Sequence, residues 1–309
     1  MLQAAQSLIP ILLLVTLGAV LFWRRFITPE FRDGMDRFTY WVALPSLFVQ
    51  RLADTDFQAL QAGNMVIVLA ITFVAASLIA AVVAAILRLP RDEFGVFVQV
   101  GFRGNMAFVG LPLIIFAVGG AGDDILVASA LIALAAMVPL SNLIAVLALI
   151  TARSGLSFSM LGPLVVKVVT NPLIISAVIG GLIGYFGGSL PTIIDSPLEL
   201  LGQTALALAL VSLGGALVQL EFRHHLGLAI LSSLFKIGVM PAVAFALTRL
   251  WELGPDQTFV VMVLCACPAA TASYILTTQL GGDESLAAAG IVVSTVLSFV
   301  SLGIVVALF

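Results

Sequence analysis

Apolar residues run along this chain in long stretches, and the short connections between them hold nearly all of its charge. A helix that crosses a bilayer core needs about 20 mostly apolar residues. Ten segments meet that demand, near residues 6–23, 38–51, 64–87, 95–118, 125–151, 168–186, 198–219, 226–249, 257–280 and 285–308. The second is short and carries Pro45. Two of the ten are interrupted. RGNMAFVGLPLIIF, from Arg103 to Phe116, sets Arg103, Gly104, Asn105, Gly110 and Pro112 inside the fourth segment. LCACPAATASYILTT, from Leu264 to Thr278, sets Cys267 and Pro268 inside the ninth. Proline lacks a donor and clashes with the preceding turn, yet it suits the first position of a new helix. The pattern therefore predicts a fourth helix that breaks just before Pro112. Leu111–Pro112 and Cys267–Pro268 are each expected to open a second half-helix.

The two halves of the chain correspond. Pro10 and Gly18 in the first segment match Pro172 and Gly180 in the sixth at one spacing. Gly122, Asp123, Leu126 and Ala128 after the fourth match Gly282, Asp283, Leu286 and Ala288 after the ninth at nearly the same spacing. Five helices per repeat is an odd number, so the second copy must lie upside down relative to the first. The expected organisation is a first repeat over 1–151, a cytoplasmic linker over 152–167 and a second repeat over 168–309. The fold class predicted is an all-α membrane protein of ten transmembrane helices, built as two inverted five-helix repeats with broken helices 4 and 9. Discontinuous helices paired across inverted repeats are the architecture of secondary transporters.

Basic residues set the orientation. The odd-numbered connections hold Arg24, Arg25, Arg32, Arg37, Arg88, Arg91, Arg153, Lys167 and Arg223, whereas the even-numbered ones hold only Arg51 and Arg249. Cytoplasmic loops are enriched in Lys and Arg, which places the odd connections in the cytoplasm and both termini outside. The arginines at 24 and 25 follow the first apolar run instead of preceding it, and no small-residue cleavage site follows, so this run reads as a span and not as a signal peptide.

Composition narrows the function classes. Of 309 residues, 61% are hydrophobic and 9% charged, where soluble domains carry about 25% charged. The few charges form no basic stripe, so nucleic acid is not an expected ligand. Cys265 and Cys267 are the only cysteines. A disulfide between i and i+2 has poor geometry and two ligands do not close a zinc site, so both are read as small packing residues and no metal or cofactor is expected. His224 and His225 follow the seventh segment and are read as solvated loop residues. Asp123, Asp124, Asp195, Glu199, Asp283 and Glu284 all fall at segment ends or in loops, and no acid is placed deep in a segment. That disfavours carboxylate-driven proton exchange. It also disfavours an intramembrane enzyme, which needs a nucleophile with its base or a metal cluster.

The paired breaks suggest the chemistry of the ligand. A helix N-terminus stabilises an anion by about 0.3–1 kcal/mol, and by up to about 2 when partly buried. Desolvating a carboxylate costs several kcal/mol, so two helix ends need the help of a cation. Arg103 and Lys236 are the basic residues inside segments. An ionisable residue within the membrane marks function unless its side chain reaches the interface. Asn105, Thr271, Ser273 and Thr277 offer hydrogen bonds, while Gly104 and Gly110 permit close backbone approach. The candidate substrate-binding residues are Asn105, Arg103, Gly110, Pro112, Cys267, Pro268, Ser273 and Lys236, and the expected partner besides the lipid bilayer is a small organic anion.

These segments also carry a family resemblance. NMAFVGLPL from Asn105 to Leu113 resembles the fourth-helix motif of the auxin efflux carrier family, and YWVALPSLF from Tyr40 to Phe48 resembles its second helix. KIGVMP from Lys236 to Pro241 resembles the basic residue and proline of its eighth helix, and CPAATASYIL around Pro268 resembles its ninth. The resemblance implies a crossover fold similar to bile-acid/sodium symporters and sodium/proton antiporters. It implies transport of auxin-like acids or of dicarboxylates such as malate or malonate across the inner membrane, by an elevator movement in a homodimer. Helices 1, 2, 6 and 7 would form the scaffold, with 3–5 and 8–10 carrying the substrate. Asn105, Pro112 and Pro268 match the family's substrate-site positions. The long cytoplasmic loop of plant members is lacking, so their regulation by phosphorylation does not carry over. A sodium-coupled symporter of the bile-acid type is the alternative, with Thr271, Ser273, Thr277 and Gln279 as oxygen ligands.

Overall fold

The computed structural model describes residues 2–55, 62–117, 124–153, 166, 169–220 and 225–309. Gly122, Asp123, Lys167, Arg223, His224 and most of the expected linker lie outside the described residues. Every described element is a helix. Helix α1 spans Leu2–Trp23. Helix α2, Pro29–Phe38, starts with Pro29 in its first turn and with the Thr28 hydroxyl accepting from the Phe31 amide at 3.2 Å. It runs on through a wide π turn, Thr39–Ala43, into α3, Leu44–Ala53. The second segment is therefore one helix from 29 to 53, longer than the apolar stretch at 38–51, because its first turns carry Glu30, Arg32, Asp33, Asp36 and Arg37. Helix α4 is Ala62–Ile86. Helix α5, Arg91–Phe102, is separated by three residues from a π turn at Met106–Gly110 that continues into α6, Leu111–Ala117. Helix α7 is Asp124–Arg153.

The second half repeats much of this order. Helix α8 is Pro172–Tyr185, capped by Asn171, and α9 is Thr192–Gln219. Helix α10, Leu226–Leu234, passes through a π turn at Phe235–Val239 into α11, Met240–Leu250. Helix α12, Pro255–Ala266, is separated by five residues from α13, Ala272–Leu280. Helix α14, Glu284–Leu308, is capped by Asp283, whose carboxylate accepts from the Leu286 amide at 2.7 Å.

Three prolines share one solution. Pro45, Pro112 and Pro241 each lie two residues beyond a π turn. A proline ring clashes with the carbonyl four residues back and offers it no donor. Widening the preceding turn moves that carbonyl aside and lets another amide reach it, as membrane helices commonly do. This corrects the expectation for the fourth helix. Pro112 sits within a continuous second half, and the true break falls eight residues or so earlier, at Arg103–Asn105. The ninth helix is corrected too: Pro268 lies in the break itself, and the second half opens at Ala272.

Among the described residues, five helices are long and apolar enough to cross a bilayer: Ala62–Ile86, Ile125–Thr151, Thr192–Gln219, Leu226–Leu250 and Glu284–Leu308. Leu8–Trp23, Met106–Ala117, Pro172–Tyr185 and Pro255–Ala266 are shorter apolar helices. Large apolar side chains such as Leu13, Leu78, Ile86, Leu200, Val296 and Val300 point outward, a surface that suits lipid and not water. This is a multi-pass membrane protein.

Close approaches sort the helices into two sets. A Cβ on Gly18 or Gly214 would collide with the carbonyl of Val211 or Val15, so α1 and α9 touch backbone to backbone. A Cβ on Gly180 would stand 2.8 Å from the Val49 carbonyl oxygen, which binds α8 to α3 in the same way. In the other set, a Cβ on Gly95 would lie 2.6 Å from Leu149 Cα, joining α5 to α7. Among the described residues, no glycine approach tighter than ordinary van der Waals contact links α1–α3, α8 and α9 to the remaining helices.

Candidate functional site

The two interruptions meet. The Asn105 amide donates to the Pro268 carbonyl at 2.8 Å, and the Ala270 amide donates to the Arg103 carbonyl at 3.0 Å. These bonds form an antiparallel bridge between Gly104 and Ala269. Backbone groups stranded in an apolar interior cost several kcal/mol each, and here each broken helix supplies the partners that the other has lost. The Ala269 amide finds the Ser294 hydroxyl of α14 at 3.0 Å. At the end of α12, the Val263 carbonyl accepts from the Cys267 amide, Leu264 from the Cys267 thiol and Ala266 from the Ser301 hydroxyl, all at 3.0–3.1 Å. The Cys265 carbonyl accepts from the Lys236 ammonium. Gly104 is required at the crossing, since a Cβ there would lie 2.8 Å from Cys267 Sγ and 3.2 Å from Lys236 Cε.

Side chains reinforce this frame. Gln99 near the end of α5 and Arg103 just beyond it reach Thr277 and Ser273, one turn apart on α13. The Arg103 guanidinium also donates to the Asn142 side-chain oxygen on α7. It is 7% exposed and does not stretch toward the membrane surface. Lys236 is wholly buried, with Met240 Sδ 3.4 Å from its nitrogen, so it too stays inside.

A cavity of about 380 Å³ opens beside the crossing. Residues 103–108 and Ala270, Thr271 and Ala272 form one wall, Val138, Ser141 and Asn142 another, and Asp36, Arg37, Tyr40, Trp41 and Leu173 the face opposite. It thus lies between the two glycine-defined sets of helices. Of the expected site residues, Arg103 and Asn105 line it. Gly110, Pro112, Cys267, Pro268, Ser273 and Lys236 do not line it; of these, Cys267, Pro268, Ser273 and Lys236 belong to the hydrogen-bonded frame of the crossing. Asn105 is 6% exposed, and its side-chain nitrogen donates to no partner. At the helix start around Met106, first-turn amides lack an intrahelical acceptor, whereas at Ala272 the Ser273 and Tyr274 amides donate to the Ala270 and Thr271 carbonyls at 2.9 and 3.1 Å.

Asp36, Arg37, Tyr40, Trp41 and Asn142 escaped the sequence reading. Asn142 was detectable as a lone amide in an apolar run, three residues after Pro139. Asp36 was detectable from the Thr28–Pro29 helix start, which extends the second helix back over it. Its carboxylate accepts from the Ser212 hydroxyl of α9. His225 departs from the expectation of a solvated loop residue: its ring nitrogens lie 3.7 Å from a Glu93 oxygen and 3.3 Å from an Asp283 oxygen.

Known proteins agree with a transport role. Over 218 residues the chain is 27% identical to an uncharacterized transporter of Methanocaldococcus jannaschii, covering 69% of this chain and 68% of the relative. The model of the membrane transport protein family matches residues 3–306, nearly the whole length. With its motifs at Tyr40–Phe48, Asn105–Leu113, Lys236–Pro241 and Pro268, the chain belongs to that family of membrane transporters, the auxin efflux carriers.

Proposed function

We propose that this protein is a secondary transporter of small organic carboxylates, which it binds in the cavity at the crossing of its broken helices. The observation that carries the reading is the Asn105 side-chain amide, a buried donor without a partner on the wall of a cavity that also presents Arg103. A buried donor left unpaired costs about 1–3 kcal/mol, and an incoming anionic oxygen removes that cost. Arg103 keeps its charge in the cavity wall, held at a fixed angle by Asn142 and Ser273. First-turn amides near Met106 add the positive end of a helix. The cavity volume falls within the usual range for small-molecule sites, about 300–1,000 Å³.

In this reading the shorter apolar helices also cross the membrane, and the chain makes ten spans as two inverted repeats. The set α1–α3, α8 and α9 is the scaffold, and the remaining helices carry the crossing and its ligand past it in an elevator movement. The glycine-tight packing within each set supports this division, as does the place of the cavity between them. The cavity reaches Asp36 and Arg37, close to the arginine-rich first connection, and so opens on the side assigned to the cytoplasm.

Uptake of radiolabelled malonate, malate or indole-acetate into proteoliposomes tests the reading. Uptake of at least one acid is expected, with a strong loss in Arg103→Ala and Asn105→Ala. Wild-type rates in both variants would remove the proposed site.

A further inference from the structure

We propose that Glu93, His225 and Asp283 form a binding site for one divalent transition-metal ion of the zinc type, which clamps the starts of α5, α10 and α14 together. The three residues come from separate parts of the chain. Glu93 lies in the first turn of α5, His225 directly precedes α10 and Asp283 directly precedes α14. Backbone contacts gather two of these helix starts. The Asp283 amide donates to the Asp92 carbonyl at 3.0 Å. A Cβ on Gly282 would stand 2.7 Å from Val96 Cγ2 and 3.3 Å from the Asp92 oxygen, so glycine lets α14 begin against α5. One oxygen of Asp283 accepts from the Leu286 amide, and the other faces the imidazole.

The donors converge. His225 Nδ1 lies 3.7 Å from Glu93 Oε1, and Nε2 lies 3.3 Å from Asp283 Oδ2. Two carboxylates that each took an in-plane N–H of one imidazole would stand at opposite edges of the ring. Here one ring nitrogen and one oxygen of each carboxylate all lie within 4.8 Å of one another. Ligand atoms about 2.0–2.2 Å from a tetrahedral zinc ion sit about 3.3–3.6 Å apart, so the triangle closes with shifts of about 1 Å or less at each side chain. The three side chains are 31%, 13% and 17% exposed, which leaves an entry path for an ion.

Charge and donor type indicate which ion. Among the described residues, neither Glu93 nor Asp283 pairs with a lysine or arginine. A neutral imidazole adds a ligand atom but no charge, so a dication balances the two acids. The imidazole also separates this cluster from an ordinary patch of surface acids. Calcium and magnesium select oxygen ligands, whereas one imidazole with two carboxylates suits zinc and its first-row neighbours. Three protein ligands leave a further position to water. Each clamped helix also serves the crossing. Helix α5 leads into Arg103, α10 leads into the π turn of Lys236, and α14 carries Ser294 and Ser301. The bound ion thus stiffens the frame from its end, whichever substrate the cavity takes.

The test is a calorimetric titration of the purified full-length chain, stripped of metal with EDTA and exchanged into chelator-free buffer, with zinc chloride. One ion per chain is expected, with a Kd of about 10 µM or tighter, and the same zinc should raise the thermal midpoint where magnesium and calcium do not. His225→Ala and Asp283→Asn are each expected to weaken zinc binding by about tenfold or more, whereas His224→Ala leaves it within about twofold. Asparagine caps a helix as well as aspartate does, so Asp283→Asn removes the ligand charge and spares the start of α14. Wild-type protein that takes up no zinc at about 100 µM overturns the proposal. So does zinc binding that survives unchanged in His225→Ala or Asp283→Asn, or that is lost in His224→Ala instead. If His225→Ala does not fold, the wild-type titration and Asp283→Asn decide.

Discussion

Replacing Asn105 by alanine should weaken ligand binding strongly while leaving the empty protein as stable as before. The backbone of Asn105 is part of the crossing, through its amide to Pro268 and its carbonyl to Val109 and Gly110. Alanine keeps those bonds and adopts the same backbone angles, φ −80° and ψ 59°. The side chain is 6% exposed and its nitrogen has no acceptor. An unsatisfied buried donor costs about 1–3 kcal/mol, so its removal offsets the small void left behind. The ligand-bound state is different. A hydrogen bond to an ionised acceptor contributes about 1.5–3 kcal/mol, which is roughly a 10- to 150-fold change in Kd. At a ligand concentration of about 100 Kd the wild type gains about 2.7 kcal/mol from binding, and a 30-fold weakening lowers that to about 0.9. Thermal unfolding of the purified protein with and without malonate, or whichever acid is transported, reads both quantities. A variant whose empty form melts well below wild type, yet keeps the full ligand-induced rise, would show that Asn105 serves packing and not the anion.

Gly214→Ala should lower stability by about 1–3 kcal/mol or more, since its Cβ would have to push the Val15 carbonyl away and overpacking costs that much; a wild-type melting curve would contradict the backbone contact of α1 with α9. Pro112→Ala should leave uptake within about twofold of wild type, because the break lies at Arg103–Asn105 and a π turn already absorbs the proline. Loss of uptake without loss of folding would return the site to Pro112. Burial holds the Glu93 carboxyl above its usual 4.5, partly offset by His225. The folded state then binds that proton more tightly than the unfolded chain, so the contribution of Glu93 to stability is present below 4.5 and lost as pH rises through the raised value. Melting temperatures across that window should fall with pH in the wild type and less so in Glu93→Gln; parallel curves would show that Glu93 does not titrate in this way.

The amino-acid order alone determined the class of molecule. Long apolar segments, arginines crowded into alternate connections and paired proline-bearing interruptions are local patterns, each legible without knowing what packs on what. They were enough to single out Arg103 and Asn105, which line the cavity, and to identify a transporter family. Where the helices break was decided by tertiary structure. A proline demands relief, but a wider turn relieves it as well as a break does, and only the partner strand across the crossing tells Arg103–Asn105 from Leu111–Pro112. The same holds for the rest of the cavity. Asp36, Tyr40 and Asn142 come from helices that sequence pattern treats separately, and Lys236 could have reached for the interface until the free carbonyl of Cys265 gave it an inward partner. Hydrogen-bond partners distant in the chain carry no signature in a single sequence, so the frame was readable and its closure was not.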